Sequence, residues 1–512
     1  MVSRVTTVAF QGVQAVPVDV QVQMSSGLVA FTIVGLPDKA VAESRERVRA
    51  ALHAIGLAMP ARRITVNLAP ADLPKEGSHY DVPIALALLA AMGILPGEFL
   101  SRHMAMGELA LDGSLTATAG ALPAAMAANA AGLGLICPRD NGAEAAWAGE
   151  ELDILAPATL VQVVNHARGT QVLSRPEPKL ARRRGPLPDL ADVRGQEAAR
   201  RALEVAAAGG HHMLMTGPPG AGKSMLAERL PSILPPMEAR EMLETSMVAS
   251  IAGELADGVI ASHRPFRAPH HTASTAALAG GGMRARPGEM SLAHNGVLFL
   301  DELPEFSPRT LETLRQPLEN GEITVARVNY HVTWPARFQL IAAMNPCKCG
   351  HAGEPGHACR RGPNCAADYQ ARISGPLLDR FDLRITLPRV SALDLALPAP
   401  AEGSAEVAAR VAAARDIQRR RYGQMGLEHV LTNAQAPARV LEEVARPDAD
   451  GMKLLREAAE TLNLSARGYH RIMRVARTLA DMEGAEQVGR AHLAEALAYR
   501  GQPGAAATMR AA

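Results

Sequence analysis

The stretch Leu214-Met215-Thr216-Gly217-Pro218-Pro219-Gly220-Ala221-Gly222-Lys223-Ser224 constrains this chain more than any other. Gly217, Gly222, Lys223 and Ser224 fit G-x-x-x-x-G-K-[ST]. The apolar run Met213 to Met215 leads in, and a helix-like run from Met225 to Leu230 follows. Strand, glycine loop and helix in that order form the unit of a phosphate-binding α/β fold. The glycines let the backbone of Gly217, Pro218, Pro219, Gly220, Ala221 and Gly222 turn around phosphate oxygens. Lys223 supplies a point charge, Ser224 offers a Mg²⁺ ligand, and the helix start adds positive potential.

Bulk composition narrows the partners. The chain has 512 residues, 48% of them hydrophobic, enough for several cores. Its 53 basic and 52 acidic residues nearly cancel, so any nucleic-acid surface must be a local patch. Aromatics are only 3%, which argues against base stacking as the main grip on single strands. The longest apolar segment, Val82 to Leu95, is short of the ~20 residues of a membrane span and carries Pro83 and Gly93. The N-terminus, Met1-Val2-Ser3-Arg4-Val5, lacks the pattern of a secretory leader. Four of the five cysteines crowd between Cys347 and Cys365 and do not form a distributed disulfide framework. A cytoplasmic, reduced protein is expected.

Composition shifts divide the chain. Residues 1–171 alternate strand-like runs (Val16–Val22, Ala30–Val34, Arg63–Leu68) with helix-like ones (Ala40–Ile55, Val82–Ala91), the signature of an α/β unit. Residues 172–188 are rich in Pro and Arg and read as a linker, although Arg182-Arg183-Arg184 could also touch nucleic acid. Residues 189–390 hold the phosphate-binding loop. Residues 391–505 show helical spacing at Arg415–Arg421 and Ala466–Met482. The chain after Gly501 is rich in Gly and Ala, and its end, residues 506–512, is expected to be a disordered tail.

A second constellation follows the loop. Val297-Leu298-Phe299-Leu300 reads as a buried parallel strand, and Asp301 would emerge at its carboxyl end, where ligands bind in open α/β sheets. Asp301 is placed to hold Mg²⁺ beside Ser224, and Glu302 to polarise an attacking water. A third strand-like run, Gln339 to Met344, ends in Asn345, whose amide suits a γ-phosphate or lytic-water contact; a simple turn residue before Pro346 is the other reading.

The order of these elements resembles the AAA+ ATPase core. One run is more specific: Arg264-Pro265-Phe266-Arg267-Ala268-Pro269-His270-His271, then Leu278-Ala279-Gly280-Gly281-Gly282, then Pro287-Gly288-Glu289 through Leu300-Asp301-Glu302-Leu303-Pro304-Glu305-Phe306. It closely resembles the magnesium-chelatase-like ATPases of the YifB/ComM family. The likeness extends to Val66–Gly77 and to Gly375-Pro376-Leu377-Leu378-Asp379-Arg380-Phe381-Asp382. It implies ATP and Mg²⁺ as cofactors, with a helical lid after the core. It also implies that Arg380 is an arginine finger reaching a neighbour's nucleotide, hence a homo-oligomeric ring, a hexamer in the family. An intrachain bridge from Arg380 to Asp379 or Asp382 is the alternative. Arg467 matches the second sensor arginine, with Arg471 one turn on as its competitor.

The stretch between Lys223 and Asp301 is far longer than the ~30 residues a βαβ unit needs. The inserted run from Arg264 to Pro287 carries Arg264, Arg267, His270, His271, Arg284 and Arg286. A second insertion, Glu322 to Phe338 with a central Asn329, reads as a hairpin. Either could contact DNA phosphates or merely pack subunits, and the resemblance tilts the reading toward DNA.

The front domain resembles the Lon-protease-like, ribosomal-protein-S5-like fold, through Pro74–Asp81 and Met106–Gly113. A Lon-type protease needs a serine within reach of a lysine. Here Tyr80-Asp81-Val82-Pro83 and Gly120-Ala121-Leu122-Pro123 stand in the matching regions, and no lysine is present in the second. Ser78 with Lys75 is a local pair on what reads as an exposed loop, so a non-proteolytic module for assembly or DNA engagement is expected.

Cys347, Cys349, Cys359 and Cys365 offer four thiolates to a structural Zn²⁺ in the spacing C-x-C-x₉-C-x₅-C; reduced thiols on a loop are the alternative. Cys137 lies in an apolar run and reads as core.

Taken together, the resemblance implies an ATP-driven ring motor on branched or single-stranded DNA, a branch-migration helicase for recombination intermediates, including those of natural transformation. A chelatase-like or protein-remodelling ATPase serving a partner enzyme is the second reading. A Lon-like protease is disfavoured by Pro123.

Overall fold

Two sheets and a helical region organise the chain. The computed structural model describes residues 2–500 apart from 182–184, 256–257, 283–285, 328–329, 353–361, 363, 392–397, 399 and 463. The expected tail at 506–512, the arginines 182–184, Arg284, Asn329 and Cys359 therefore lie outside the described residues.

The front sheet has seven strands. They are β1 (Val2–Gln11), β2 (Gln14–Ser25), β3 (Ala30–Val34), β4 (Arg63–Ala69), β5 (His103–Ala105), β8 (Gly134–Ile136) and β9 (Ile154–Leu155), in the order β3-β4-β2-β1-β5-β8-β9. A separate short hairpin joins β6 (Glu108–Leu109) to β7 (Leu115–Thr116). β1 is a ten-residue strand with no clean alternation in VSRVTTVAFQ, and it has no counterpart among the strand-like runs read from the sequence. The helix Lys39–Ala54 begins on an Asp38 side chain that accepts from Val41 N–H. The helix Asp81–Ala91 is apolar after Asp81 and is buried from Asp81 to Leu89, as an all-round apolar helix must be, with Asp81 held by Arg47.

The second sheet has five strands: β10 (Met213–Thr216), β11 (Phe266–Arg267), β12 (Val297–Leu300), β15 (Gln339–Met344) and β16 (Leu383–Thr386). Their order is β11-β12-β15-β10-β16, and every pairing is parallel. Both faces are covered, as a parallel sheet requires. Met213, Met215, Val297, Phe299, Ile341 and Ala343 face a core shared with the helices between 404 and 498. Leu214, Leu298, Leu300, Leu340 and Ala342 alternate onto the other face, against Phe306, Trp334 and Phe381. Leu298 and Leu300 are fully buried, each contributing ~2 kcal/mol by area. The α/β class with a parallel sheet holding the phosphate loop is what the sequence led us to expect.

The hairpin between the sheets pairs β13 (Glu322–Arg327) with β14 (Tyr330–Pro335) antiparallel. The turn between β1 and β2 presses on it: a Cβ at Gly12 would stand 2.5 Å from the Thr333 carbonyl oxygen. The stretch read as a linker is not wholly loose, since Ala181 N–H donates to the Ile260 carbonyl at 2.9 Å.

One helix, Ala239–Ala252, joins the two halves. At one end Ser250 donates to the buried Glu144 carboxylate of the front half, and Gly120 N–H donates to the Ser250 carbonyl at 3.0 Å. At the other end Glu241 holds Arg264 at 2.8 Å, and Glu244 meets His294 at 3.4 Å and Asn295 at 3.3 Å.

Candidate nucleotide site and arginine cleft

The phosphate loop leaves β10 at its carboxyl end. Gly222, at φ +84°, turns the chain into the helix Lys223–Ala227, a conformation that an L side chain resists. Lys223 is buried, and its Nζ donates to Gly217 O at 2.7 Å, Pro218 O at 2.9 Å and Asn345 Oδ1 at 3.1 Å. Burial lowers its pKa, opposed by the charges of Asp301 and Glu302. The ammonium is thus poised among oxygens that a triphosphate can replace.

Because β15 lies between β10 and β12, Asn345 stands between the phosphate loop and Asp301. Ser224 Oγ donates to Asp301 Oδ2 at 2.6 Å. These two adjacent oxygen ligands suit Mg²⁺, which takes one or two protein oxygens together with phosphates and water. Asp301 Oδ1 accepts from Glu302 N–H at 2.8 Å, which fixes the turn. Glu302 itself is held at φ 52°, ψ 44°, a left-handed conformation uncommon outside glycine and worth attention where function is sought. Its half-exposed carboxylate meets His271 Nδ1 at 3.0 Å. The structure therefore brings Lys223, Ser224, Asp301, Glu302 and Asn345 together at one edge of the sheet.

Two supporting residues had no signal in the sequence. His271 stood among presumptive DNA contacts, yet it pairs with Glu302. Buried Gln196 donates to Ala221 O at 3.3 Å and Pro388 O at 2.9 Å, tying the phosphate loop to the strand beyond.

Arg380 and Arg467 lie elsewhere. Asp382 N–H donates to the His212 carbonyl just before β10, so Arg380 sits at the amino ends of the strands. Four residues of β10 at ~3.3 Å each separate it from the loop at the other end. There a cleft of about 700 Å³ is lined by Arg337, Arg380, Arg415, Arg467, Arg471 and Arg474, together with Glu319 and His429. Burial first, then the neighbouring cations Arg467 and Arg471, push Arg380 below the ordinary arginine value. The intrachain bridge considered from sequence, to Asp379 or Asp382, is not the one formed. Arg380 pairs with Glu319, at the end of the helix Arg315–Asn320. Asp382 goes instead to Arg471 at 2.7 Å and His211 at 3.1 Å, which hold its carboxyl far below the usual range. Arg471 also donates to the Arg380 carbonyl. Arg471 is thus tied down within the chain, whereas Arg467 is exposed on the first turn of Ala466–Met482.

Two expectations need correction. Arg264 and Arg267 do not form an open basic patch. Arg264 is clasped by both oxygens of Glu241, and Arg267 by Glu289 and Glu254, because each fork finds a carboxylate across the fold. Lys75 is not on an exposed loop. It is buried and donates to Pro70 O, while Ser78 donates to Glu108, so the two do not form a catalytic pair. Cys347, Cys349 and Cys365 converge, and Cys137 is buried in the front core.

Comparison with known proteins accords with this geometry. The family model "Magnesium chelatase, subunit ChlI" matches residues 189–395, "Subunit ChlI of Mg-chelatase" matches 20–141, and "Magnesium chelatase, subunit ChlI C-terminal" matches 401–500. The protein YifB of Salmonella typhimurium is 45% identical over 507 residues, covering 97% of this chain and 96% of the relative. Competence protein ComM of Haemophilus influenzae is 44% identical over 500 residues, covering 96% of both. The magnesium-chelatase 38 kDa subunit of Rhodobacter capsulatus is 26% identical over 328 residues, 58% of this chain and 82% of that subunit. Among the described residues no helix is long and apolar enough to cross a membrane.

Proposed function

This chain belongs to the YifB/ComM family of magnesium-chelatase-like proteins, and on that premise we propose that it is a cytoplasmic AAA+ ATPase whose hydrolysis drives a DNA-remodelling ring. The observation that carries the ATPase reading is the meeting of Lys223 with Asn345 and of Ser224 with Asp301 at one strand edge. In this reading Lys223 leaves the loop carbonyls for the β- and γ-phosphates. Ser224 and Asp301 would hold Mg²⁺, which would supply charge neutralisation to the phosphates. Glu302, oriented by His271, accepts the proton of the attacking water, and Asn345 orients that water against the γ-phosphate.

The arginine cleft supports a shared site. Its cations crowd where only a few carboxylates answer them, and they stand a sheet's width from the same chain's phosphate loop. A neighbour's triphosphate would supply the missing anion to Arg380 and Arg467 in a homo-oligomeric ring, a hexamer by family likeness. The helices from 404 to 498 would serve as the lid, and the front sheet as a Lon-like module without proteolysis.

DNA as cargo is supported by the likeness to a competence protein and by the hairpin of β13 and β14. We read the activity as branch migration of recombination intermediates, including those of natural transformation. The likeness to a magnesium-chelatase subunit supports a second reading, a motor serving a partner enzyme. The deciding measurement is ATP turnover with no DNA, single strands, duplex and four-way junctions, beside Glu302→Gln as the hydrolysis-dead control. Stimulation by junctions together with their ATP-dependent dissociation is expected. Turnover indifferent to every DNA would favour the partner-enzyme reading.

A further inference from the structure

The loop after β15 carries a cluster that the phosphate chemistry does not use. The Sγ atoms of Cys347, Cys349 and Cys365 all lie within 4.8 Å of one another. Cys347 and Cys365 are buried, and Cys347 Sγ is 2.9 Å from Cys349 Sγ. With Zn–S bonds of ~2.3 Å, a tetrahedral sulfur set has an edge of about 3.8 Å; the three thiols come within reach of one soft cation once the 2.9 Å Cys347–Cys349 pair opens toward that edge. The backbone also supports a bound sulfur here. Ala352 N–H donates to Cys347 Sγ at 3.3 Å, the kind of outer-shell bond that steadies a metal-bound sulfur.

The cluster is placed against the nucleotide site. Cys347 follows Asn345 by two residues, and Asn345 holds Lys223. Gly350, at φ +86°, lies so close to the phosphate loop that a Cβ there would stand 2.7 Å from Pro219 Cδ. The helix Cys365–Gln370 closes the arrangement, with Gln370 Nε2 donating to Pro346 O at 3.0 Å.

We propose that Cys347, Cys349 and Cys365 bind a thiophilic divalent cation of the Zn²⁺ class, and that this centre braces the phosphate loop through Gly350 and Asn345. The bracing half of this proposal rests on the ATPase reading; the metal half does not.

The test uses the full chain purified under reducing conditions. Metal analysis should find roughly one zinc per chain. Cobalt loading should give the visible bands of a tetrahedral thiolate site. Cys349→Ser, which alters the least buried of the three thiols, should lose the metal while circular dichroism stays native; Cys347→Ser and Cys365→Ser should lose it too. Binding of a fluorescent ATP analogue should weaken several-fold on metal removal and recover when Zn²⁺ returns. Absence of zinc, with Co²⁺ giving no bands and added Zn²⁺ failing to slow alkylation of the cysteines, overturns the centre. Zinc retained in full by all three variants does the same. Zinc present but nucleotide affinity unchanged on its removal overturns the bracing alone. A zinc-loaded chain that binds no nucleotide overturns the ATPase reading and leaves the centre standing.

Discussion

The two ends of the five-stranded sheet are built on opposite plans. At the carboxyl ends one buried lysine sits among Asn345 and loop carbonyls, with Asp301, Glu302 and Ser224 beside it in satisfied pairs. At the amino ends seven arginines line one cleft together with Glu241, Glu319 and Glu322, and Arg380, Arg471 and Arg474 each keep a buried Nε without a hydrogen-bond partner. The first arrangement is complete within one chain. The second holds more cations than carboxylates, and in the function proposed above it would meet a neighbouring copy's nucleotide.

The sharpest way to break this contrast is Lys223→Ala. It should bring ATP turnover to background, on the order of 10³-fold down, and abolish nucleotide binding as read by a fluorescent analogue. Arg380→Ala should lower turnover about 10²-fold or more with binding intact, since a finger acts on the transition state. The two single variants mixed in equal amounts decide where Arg380 acts. If it acts in trans, random rings should regain about a quarter of the wild-type sites; if it acts in cis, mixing restores nothing.

A smaller effect concerns the helix Ala239–Ala252, which lies behind the cleft. His294, Arg240 and Asn295 hold the Glu244 carboxyl down at about 2. A depressed carboxyl stabilises the fold fully above its unfolded value, near 4.5, and loses that stabilisation as pH falls from there toward 2. Because Glu244 is partly exposed, we expect Glu244→Gln to cost about 1–2 kcal/mol at pH 7, with the gap in melting temperature narrowing below pH 4.5 and closing only toward pH 2. A gap that stays constant with pH would mean the carboxylate is not what offsets these cations. The smallest effect belongs to the front half. Ser78→Ala should change neither turnover nor self-cleavage, because Ser78 faces Glu108 and not Lys75. A lost cleavage activity in that variant would reinstate a protease.

What the sequence made legible was local. The loop at 217–224 and the run ending in Asp301 and Glu302 carry their chemistry in contiguous residues next to a strand. The parallel sheet followed from the unbroken apolar runs at 297–300 and 340–344. Partnerships across the fold were not legible. A sequence displays the charge of Arg264 and Arg267 but not the carboxylates of Glu241 and Glu289 that tertiary packing carries to them. Glu319 meets Arg380 only because a helix and a strand entrance happen to converge, and nothing in either segment announces it. β1 escaped notice because buried Thr7 and Val8 are neighbours, which breaks the alternation that marks a half-buried strand.

The helix Ala239–Ala252 has a mechanical consequence. It spans ~21 Å, with Ser250 gripping the front half at one end and Glu241 and Glu244 gripping the approach to β12 at the other. A rod fixed at both ends transmits position. A tilt of the front sheet therefore reaches His294 and Asn295, a few residues upstream of Asp301, without crossing any flexible joint. On the proposed ATPase reading, a movement of the front half would be coupled to the hydrolysis site through this helix.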